Sequence, residues 1–160
     1  MDFSRLNKTE WLGLGSSVVL IASLFLPWFG LTDVPEREIQ GAWVCGVDQL
    51  TCTPWDTYPM ARWLFVAAAV APVLLAYFIL TDEMGKYPTG EFTMTVGFAV
   101  IVLVGFHGAV VQPGEGLMFG LSLEWGYFLA LLAGVMMAVA GAMRSLESGG
   151  GAKRKPPATF

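Results

Sequence analysis

The stretch "WGYFLALLAGVMMAVAGAM" (residues 125–143) decides the fold of this chain. It contains no Asp, Glu, Lys or Arg, and its length is close to the roughly 20 residues that a helix needs to cross the hydrocarbon core of a bilayer. Backbone polar groups in lipid are satisfied only within a helix or a closed barrel. The alternation of apolar and polar residues that marks barrel strands is absent here. The stretch therefore predicts a membrane-spanning helix.

Three further runs share this character: "WLGLGSSVVLIASLFLPWF" (11–29), "WLFVAAAVAPVLLAYFIL" (63–80) and "TMTVGFAVIVLVGFHGAVV" (93–111). Only 14% of the 160 residues are charged and 55% are hydrophobic, whereas soluble domains have about 25% charged residues. We therefore predict an all-α membrane protein, a left-handed four-helix bundle formed by residues 1–143. The tail, 144–160, is polar and rich in Gly and Pro, so we predict that it is disordered.

The positions of Lys and Arg predict the orientation, because cytoplasmic loops carry an excess of these residues. Seven of them fall in the two termini and the second connection: Arg5, Lys8, Lys86, Arg144, Lys153, Arg154 and Lys155. The first connection (30–62) has two, Arg37 and Arg62, and the third (112–124) has none. We therefore predict a plasma (inner) membrane protein with both termini in the cytoplasm and the first and third connections outside.

Both cysteines, Cys45 and Cys52, lie in the predicted outer loop, within "WVCGVDQLTCTPW" (43–55). Disulfides persist outside the cell, and a short β-hairpin turning at "DQ" would place the two cysteines opposite each other. We expect a disulfide that stiffens the loop and contributes about 2–3 kcal/mol. A redox pair and two free thiols remain the alternatives. Quinone-linked thiol oxidoreductases, however, usually need a Cys-x-x-Cys and a second pair to relay electrons, and this chain has one wider pair.

The single histidine, His107, lies near the predicted outer end of the third run. An ionisable residue inside a membrane is a candidate functional site, and Gln112, Glu115 or Glu124 could assist it. The other interpretation is a neutral imidazole hydrogen-bonded within the bundle. Because there is no second histidine, no metal-ligand spacing and no G-x-S-x-G motif, the sequence predicts no enzyme, metal or cofactor.

Small residues recur every four positions along the fourth run, at Gly126, Ala130, Gly134, Ala138 and Ala142. Such ridges let helix backbones approach closely in a membrane. The ridge either closes the bundle within one chain or serves a homo-oligomer or a partner protein, and both interpretations stay open.

Two kinds of residue are expected at the ends of the spans. Trp28, Trp63 and Trp125 are predicted to anchor the outer ends, and Trp11 an inner end, because tryptophan favours the membrane interface. Arg62 lies on the outer side against the charge rule. We predict that it forms an ion pair with Glu124 or Asp56, which lie at the same depth.

Several stretches resemble a family of small four-span membrane proteins from actinobacteria. They are "ASLFLPWFG" (22–30), "PWDTYPMARWLFVAAAVAP" (54–72), "GEFTMTVGFAVIVLVGF" (90–106), "VVQPGEG" (110–116), "LSLEWGYFLALLAG" (121–134) and "RKPP" (154–157). The resemblance covers most of the chain and implies a four-span fold. It brings no known activity and no catalytic residues.

A weaker likeness is to the claudin-type four-span proteins, which carry Gly-x-Trp before two bridged cysteines in the first outer loop. Here "GAW" (41–43) precedes Cys45, but one residue separates Trp43 from Cys45 where that motif has two, and the gap between the cysteines is shorter. We interpret the likeness as convergence on one way to stiffen a loop.

These observations together favour a non-enzymatic membrane protein with a structural, accessory or interaction role through its outer loop and small-residue helix faces. Its expected partners are the lipid bilayer and a second copy or another membrane protein, with no nucleic acid. The alternatives are a quinone-linked thiol oxidoreductase that uses Cys45 and Cys52, and a small transporter or channel. The transporter is disfavoured because none of the four apolar runs carries a charge.

Overall fold

The computed structural model describes residues 7–32, 51–81, 89–110 and 120–149. Most of them lie in four long helices: α1 (Lys8–Leu24), α3 (Ala61–Leu80), α4 (Thr89–Ala109) and α5 (Trp125–Gly149). One helical turn and three strands complete the described part: α2 (Pro54–Thr57), β1 (Phe29–Thr32), β2 (Thr51–Cys52) and β3 (Gly120–Leu123).

The long helices contact one another in a closed ring. Helix α5 packs against α4 and α1, and α3 packs against the same two helices from the other side. The strands lie at the end of the ring where α1 ends and α5 begins, which we call the sheet end. The opposite end, where α1 begins and α5 ends, is the tail end.

Three helices are long and apolar enough to cross a membrane: Ala61–Leu80, Gly90–Ala109 and Trp125–Glu147. They correspond to the predicted runs 63–80, 93–111 and 125–143 and begin within a few residues of them. Large apolar side chains point away from the protein along these helices, for example Val102 of α4, which is 67% exposed. The helices and their apolar outer surfaces are those of a membrane protein.

The first helix differs from the predicted span 11–29 at both ends. It begins earlier because Asn7 and Glu10 form a capping box, in which each side chain accepts a hydrogen bond from the other residue's backbone N–H. It ends at Leu24 because Pro27 disfavours helical backbone at the residue before it. The last part of the apolar run is a turn followed by strand β1.

The tail was predicted to be disordered from residue 144, and this is wrong for residues 144–149, which continue helix α5. The physical reason is that two side chains of this segment contact the start of α1. Arg144 forms an ion pair with Glu10, and Glu147 accepts a hydrogen bond from the side chain of Asn7 at 3.0 Å. The rest of the predicted tail lies outside the described residues.

The described part of the chain is mostly helical, as predicted, and its strands form an antiparallel sheet in the order β2–β1–β3, which was not predicted beyond a possible hairpin in the first outer loop. Phe29 of the central strand lies opposite Cys52 on one side and Leu123 on the other. Strand β1 begins the first predicted outer connection and β3 ends the third. The sheet therefore joins the two connections that the charge distribution places on one side.

The predicted hairpin within 43–55 is described only in part. Its second half contains β2, and the strand that pairs with β2 in the described part of the chain is β1. Cys45 and the first half of the hairpin lie outside the described residues.

Glycines set the close contact between α4 and α5. A Cβ atom on Gly97 would lie 2.7 Å from Cα and 2.9 Å from Cβ of Ala138. A Cβ atom on Gly141 would lie 2.7 Å from the backbone oxygen of Gly90, and one on Gly90 would lie 2.9 Å from Cα of Ser145. Real Cβ atoms do not come this close, so the two backbones touch along most of their length because glycine occupies these positions.

The predicted small-residue ridge of α5 does not face a single neighbour. Gly134 and Ala138 face α4, whereas Gly126 faces the segment after α1, where its Cβ would lie 2.6 Å from the backbone oxygen of Pro27. Ala130 is fully buried and Ala142 is half-buried. An i, i+4 row turns by about 40° at each step around a helix with 3.6 residues per turn, so the ridge passes from one neighbouring segment to the next.

Trp28 is a core residue and not the interfacial anchor that was predicted. Its side chain has no exposed surface, its indole N–H donates to the backbone oxygen of Ser23 at 2.9 Å, and its ring packs edge-on against Phe65 and Tyr127 at 5.5 and 5.9 Å. The other three tryptophans that were predicted as anchors are more than half exposed: Trp11, Trp63 and Trp125.

Candidate functional site

Cys52 lies at the centre of the sheet end. Its residue surface is fully buried, and its backbone oxygen accepts a hydrogen bond from the N–H of Trp28 at 2.9 Å. No free cysteine occurs in the described part of the chain. Because a sulfur without exposed surface is out of reach of a protein thiol, this geometry suits a structural cysteine. Cys45, its predicted partner, lies outside the described residues.

An aromatic column leads from the sheet into the bundle. Phe29, which is paired with Cys52, packs edge-on against Tyr58 at 6.5 Å, and Tyr58 packs edge-on against His107 at 4.6 Å. The hydroxyl of Tyr58 donates to the backbone oxygen of His107 at 3.4 Å. Burial raises the pKa of Tyr58 to about 12, so at neutral pH the phenol keeps the proton that this hydrogen bond needs.

His107 is oriented by its own helix. Its Nδ1 lies 2.8 Å from the backbone oxygen of Leu103, which can only accept, so Nδ1 carries the proton and Nε2 is the acceptor nitrogen in the neutral ring. Phe65 and Phe106 pack edge-on against the ring at 6.1 and 5.8 Å. The imidazole is therefore a packed, hydrogen-bonded ring at the sheet end of α4.

The structure describes only one of the three predicted assistants of His107. Glu124 accepts a hydrogen bond from the hydroxyl of Ser122 at 3.3 Å, and Gln112 and Glu115 lie outside the described residues. Within 7–32, 51–81, 89–110 and 120–149, no three His, Cys, Asp or Glu side chains come together to hold a metal ion.

The structure does not bring Arg62 together with Glu124 or Asp56. The guanidinium carbon of Arg62 instead lies 5.1 Å from the ring centre of Trp55 and 5.6 Å from that of Trp63. Its Nη1 donates to the backbone oxygen of Trp55 at 3.2 Å. Two indole faces and a carbonyl thus replace the predicted carboxylate, because a weakly hydrated planar cation stacks well on aromatic rings.

Asp56 is held by its own turn. Its carboxylate accepts a hydrogen bond from the hydroxyl of Thr53 at 2.8 Å, and the same hydroxyl accepts from the backbone N–H of Asp56. Thr53 is the N-cap of α2, so the carboxylate supports the start of that turn.

At the tail end the structure contains an ion pair that was not predicted. Nη1 of Arg144 lies 3.2 Å from Oε1 of Glu10, and the two side chains are only 16% and 9% exposed. The motif "NKTE" (7–10) is a recognisable capping box and could have indicated that Glu10 is fixed. Nothing in the sequence indicated its partner on α5. Although the apolar runs carry no charge, each of the four long helices has at least one charged residue near an end.

A small cavity lies beside this ion pair. It is lined by residues of all four long helices, which include Thr9, Gly13, Pro72, Thr93 and Ala140. Its volume of about 10 Å³ has room for no more than about one water molecule. The four helices are therefore closely packed beside the ion pair.

We expect Glu10 and Arg144 to stabilise the fold cooperatively. In a double-mutant cycle in detergent, Glu10→Gln and Arg144→Gln should each lower the free energy of unfolding, and the coupling energy should be about 1–3 kcal/mol. Glutamine can still complete the capping box, so the cycle isolates the charge. As a control, Glu147→Gln removes an exposed charge while its amide oxygen can still accept the hydrogen bond from Asn7, and it should cost much less. Additive single losses would show that the pair is not coupled.

Comparisons with protein families, with curated proteins and with solved structures find no match to this chain.

Proposed function

We propose that this chain is a four-span integral membrane protein of the plasma membrane, with the sheet end outside and both termini in the cytoplasm. Three helices already have the length and composition for crossing. Helix α1 has 17 residues, which is within the range of about 17–25 for spanning helices. The described cations at the tail end, Lys8 and Arg144, support this orientation by the charge rule, whereas Arg62 at the sheet end opposes it. The four-span fold is also the one that the resemblance implies.

In this proposal Cys52 is bonded to Cys45, the only other cysteine in the chain. The burial of Cys52 in the sheet and the lack of a free cysteine among the described residues support this pairing. The bond would tie the first outer connection to β2, and the sheet ties β2 to β1 and to the third connection. The two outer connections then form one stiff cap.

The function that this cap supports best is structural and non-enzymatic: an accessory or interaction role at the outer membrane surface, as a homo-oligomer or with a membrane partner. The observation that carries the proposal is the three-stranded sheet, which joins two connections that are distant in sequence and seats them on the buried Trp28. Such a cap presents a fixed outer surface, and fixed surfaces lose little entropy on binding.

Replacing Cys52 by serine tests this proposal against the thiol oxidoreductase. We expect Cys52→Ser to lower the unfolding free energy in detergent by about 2–5 kcal/mol, because a loop constraint and a buried sulfur are both lost. The wild-type bond should resist mild reductant, and its redox state should not change when quinone is added to membranes. Cys45→Ser is the matched control and should cause a similar loss.

The opposite outcome would support redox chemistry. If Cys52→Ser left the stability unchanged and abolished a quinone-dependent oxidation of substrate thiols, the cysteines would be a reaction centre and the structural role would be wrong.

A further inference from the structure

We propose that Arg62, held between Trp55 and Trp63, binds the phosphate of an anionic phospholipid in the outer leaflet. This inference rests on the proposed orientation, in which the sheet end faces outward. It assigns a ligand to a residue whose predicted acidic partners are both engaged elsewhere.

The charge of Arg62 is not balanced by a described carboxylate. Among the described residues it has no acidic partner, since Asp56 is bonded to Thr53 and Glu124 to Ser122. Its one hydrogen bond is the one from Nη1 to the backbone oxygen of Trp55, and its Nε is buried without a hydrogen-bond partner. A guanidinium is always protonated and has several N–H donors. The buried Nε is out of reach of an anion, but no described carboxylate neutralises the charge, and Nη2, which is not buried, can donate to an anion.

The guanidinium of Arg62 is also preorganised. Its carbon lies over the rings of Trp55 and Trp63, whose centres are 6.1 Å apart, and these contacts together with the hydrogen bond to Trp55 restrict its position. A fixed planar fork matches the oxygens of a phosphate in two-point contact and loses little entropy when it binds. The fork is therefore better suited to a phosphate than a mobile surface lysine would be.

The apolar surroundings of Arg62 fit a lipid better than a free anion. Phe25 packs on Trp55 at 5.0 Å and is 56% exposed. Met60 and Leu64 flank Arg62 in sequence and are 86% and 55% exposed. Aromatic and aliphatic side chains at this depth would contact the glycerol and upper acyl chain of a lipid whose phosphate lies on Arg62.

The test is lipid binding by the full chain in detergent, measured by native mass spectrometry with phosphatidylglycerol and, separately, with phosphatidylcholine. Wild type should bind phosphatidylglycerol more tightly than phosphatidylcholine. Arg62→Gln should weaken phosphatidylglycerol binding about tenfold, since one charge-assisted contact is lost. Arg62→Lys should restore it only in part, because lysine keeps the charge and loses the fork. Lys8→Gln, which removes an exposed cation at the tail end, should leave binding unchanged.

Three results would overturn the proposal: equal binding by wild type and Arg62→Gln, an equal loss in Lys8→Gln, or displacement of the lipid by inorganic phosphate at similar concentration. The last would mean that the site takes a free anion. If Arg62→Gln folds poorly, Arg62→Lys still tests the proposal, because it keeps the charge and should bind phosphatidylglycerol less tightly than wild type. Failure here leaves the proposed membrane topology intact, since that is measured by labelling.

Discussion

Replacing Gly97 by alanine is expected to destabilise the bundle by about 1–3 kcal/mol, although the same change in an exposed helix would be favourable. The added methyl group would meet the backbone of Ala138 on α5, with Cα at 2.7 Å. Backbone cannot move aside as a flexible side chain can, so α4 and α5 must separate along the contact. Unfolding in detergent, followed by circular dichroism during titration with SDS, measures this loss.

Gly105 provides the matched control on the same helix. A Cβ atom there would meet nothing within 4 Å, so Gly105→Ala should leave stability unchanged or raise it by up to about 1 kcal/mol through helix propensity. The same change from glycine to alanine is therefore expected to lower stability at position 97 and to leave it unchanged or raise it at position 105. Equal effects of the two substitutions would contradict the glycine contact between α4 and α5.

Replacing Trp28 by alanine is expected to cost about 3–5 kcal/mol, the range for large aromatic residues removed from a core. The change empties the space between α1, α3 and α5 and removes the hydrogen bond to Ser23. The backbone of Trp28 bonds to Cys52 and Glu124, which places its side chain next to the sheet. Alanine keeps these backbone bonds but removes the packing beneath the sheet. Thermal unfolding in detergent should show a strongly lowered midpoint.

Trp125→Ala is the control for size and residue type, since Trp125 is 80% exposed. Trp125→Ala should lower the free energy of unfolding by less than about 1 kcal/mol, as most surface substitutions do. A loss at Trp28 as small as that expected at Trp125 would mean that Trp28 is an interfacial anchor, as the sequence suggested, and not the packing centre of the sheet end.

The three longer spans were predictable because a long uncharged run is itself the physical requirement for crossing lipid. The first span was misjudged because hydropathy does not distinguish a helix facing lipid from a turn and strand whose large side chains, Trp28 and Phe29, are buried in protein. The segment "LPWFG" (26–30) is as apolar as the helix before it. Its Pro27 was the signal that the helix had to end, and the strand depends on pairing with β2 and β3, which are distant in sequence.

The side-chain contacts were less predictable, for a related reason. Charge and depth suggested a carboxylate partner for Arg62, but the rings of Trp55 and Trp63 lie closer, and a sequence does not indicate which contact the rotamer makes. Glu10 was recognisable as a cap, whereas its pairing with Arg144 depends on how α1 and α5 align. Pairings between distant elements follow from the assembled bundle and not from local pattern.

The measurement that tests the central claim most directly is thiol labelling of intact cells with a membrane-impermeant maleimide. Each of three variants carries one new exposed thiol: Lys8→Cys and Leu146→Cys at the tail end, and Met60→Cys at the sheet end. Labelling of permeabilised cells confirms that all three thiols react. The account predicts that only Met60→Cys is labelled from outside. Labelling of Lys8→Cys or Leu146→Cys in intact cells, or protection of Met60→Cys, would contradict the four-span arrangement with its sheet outside.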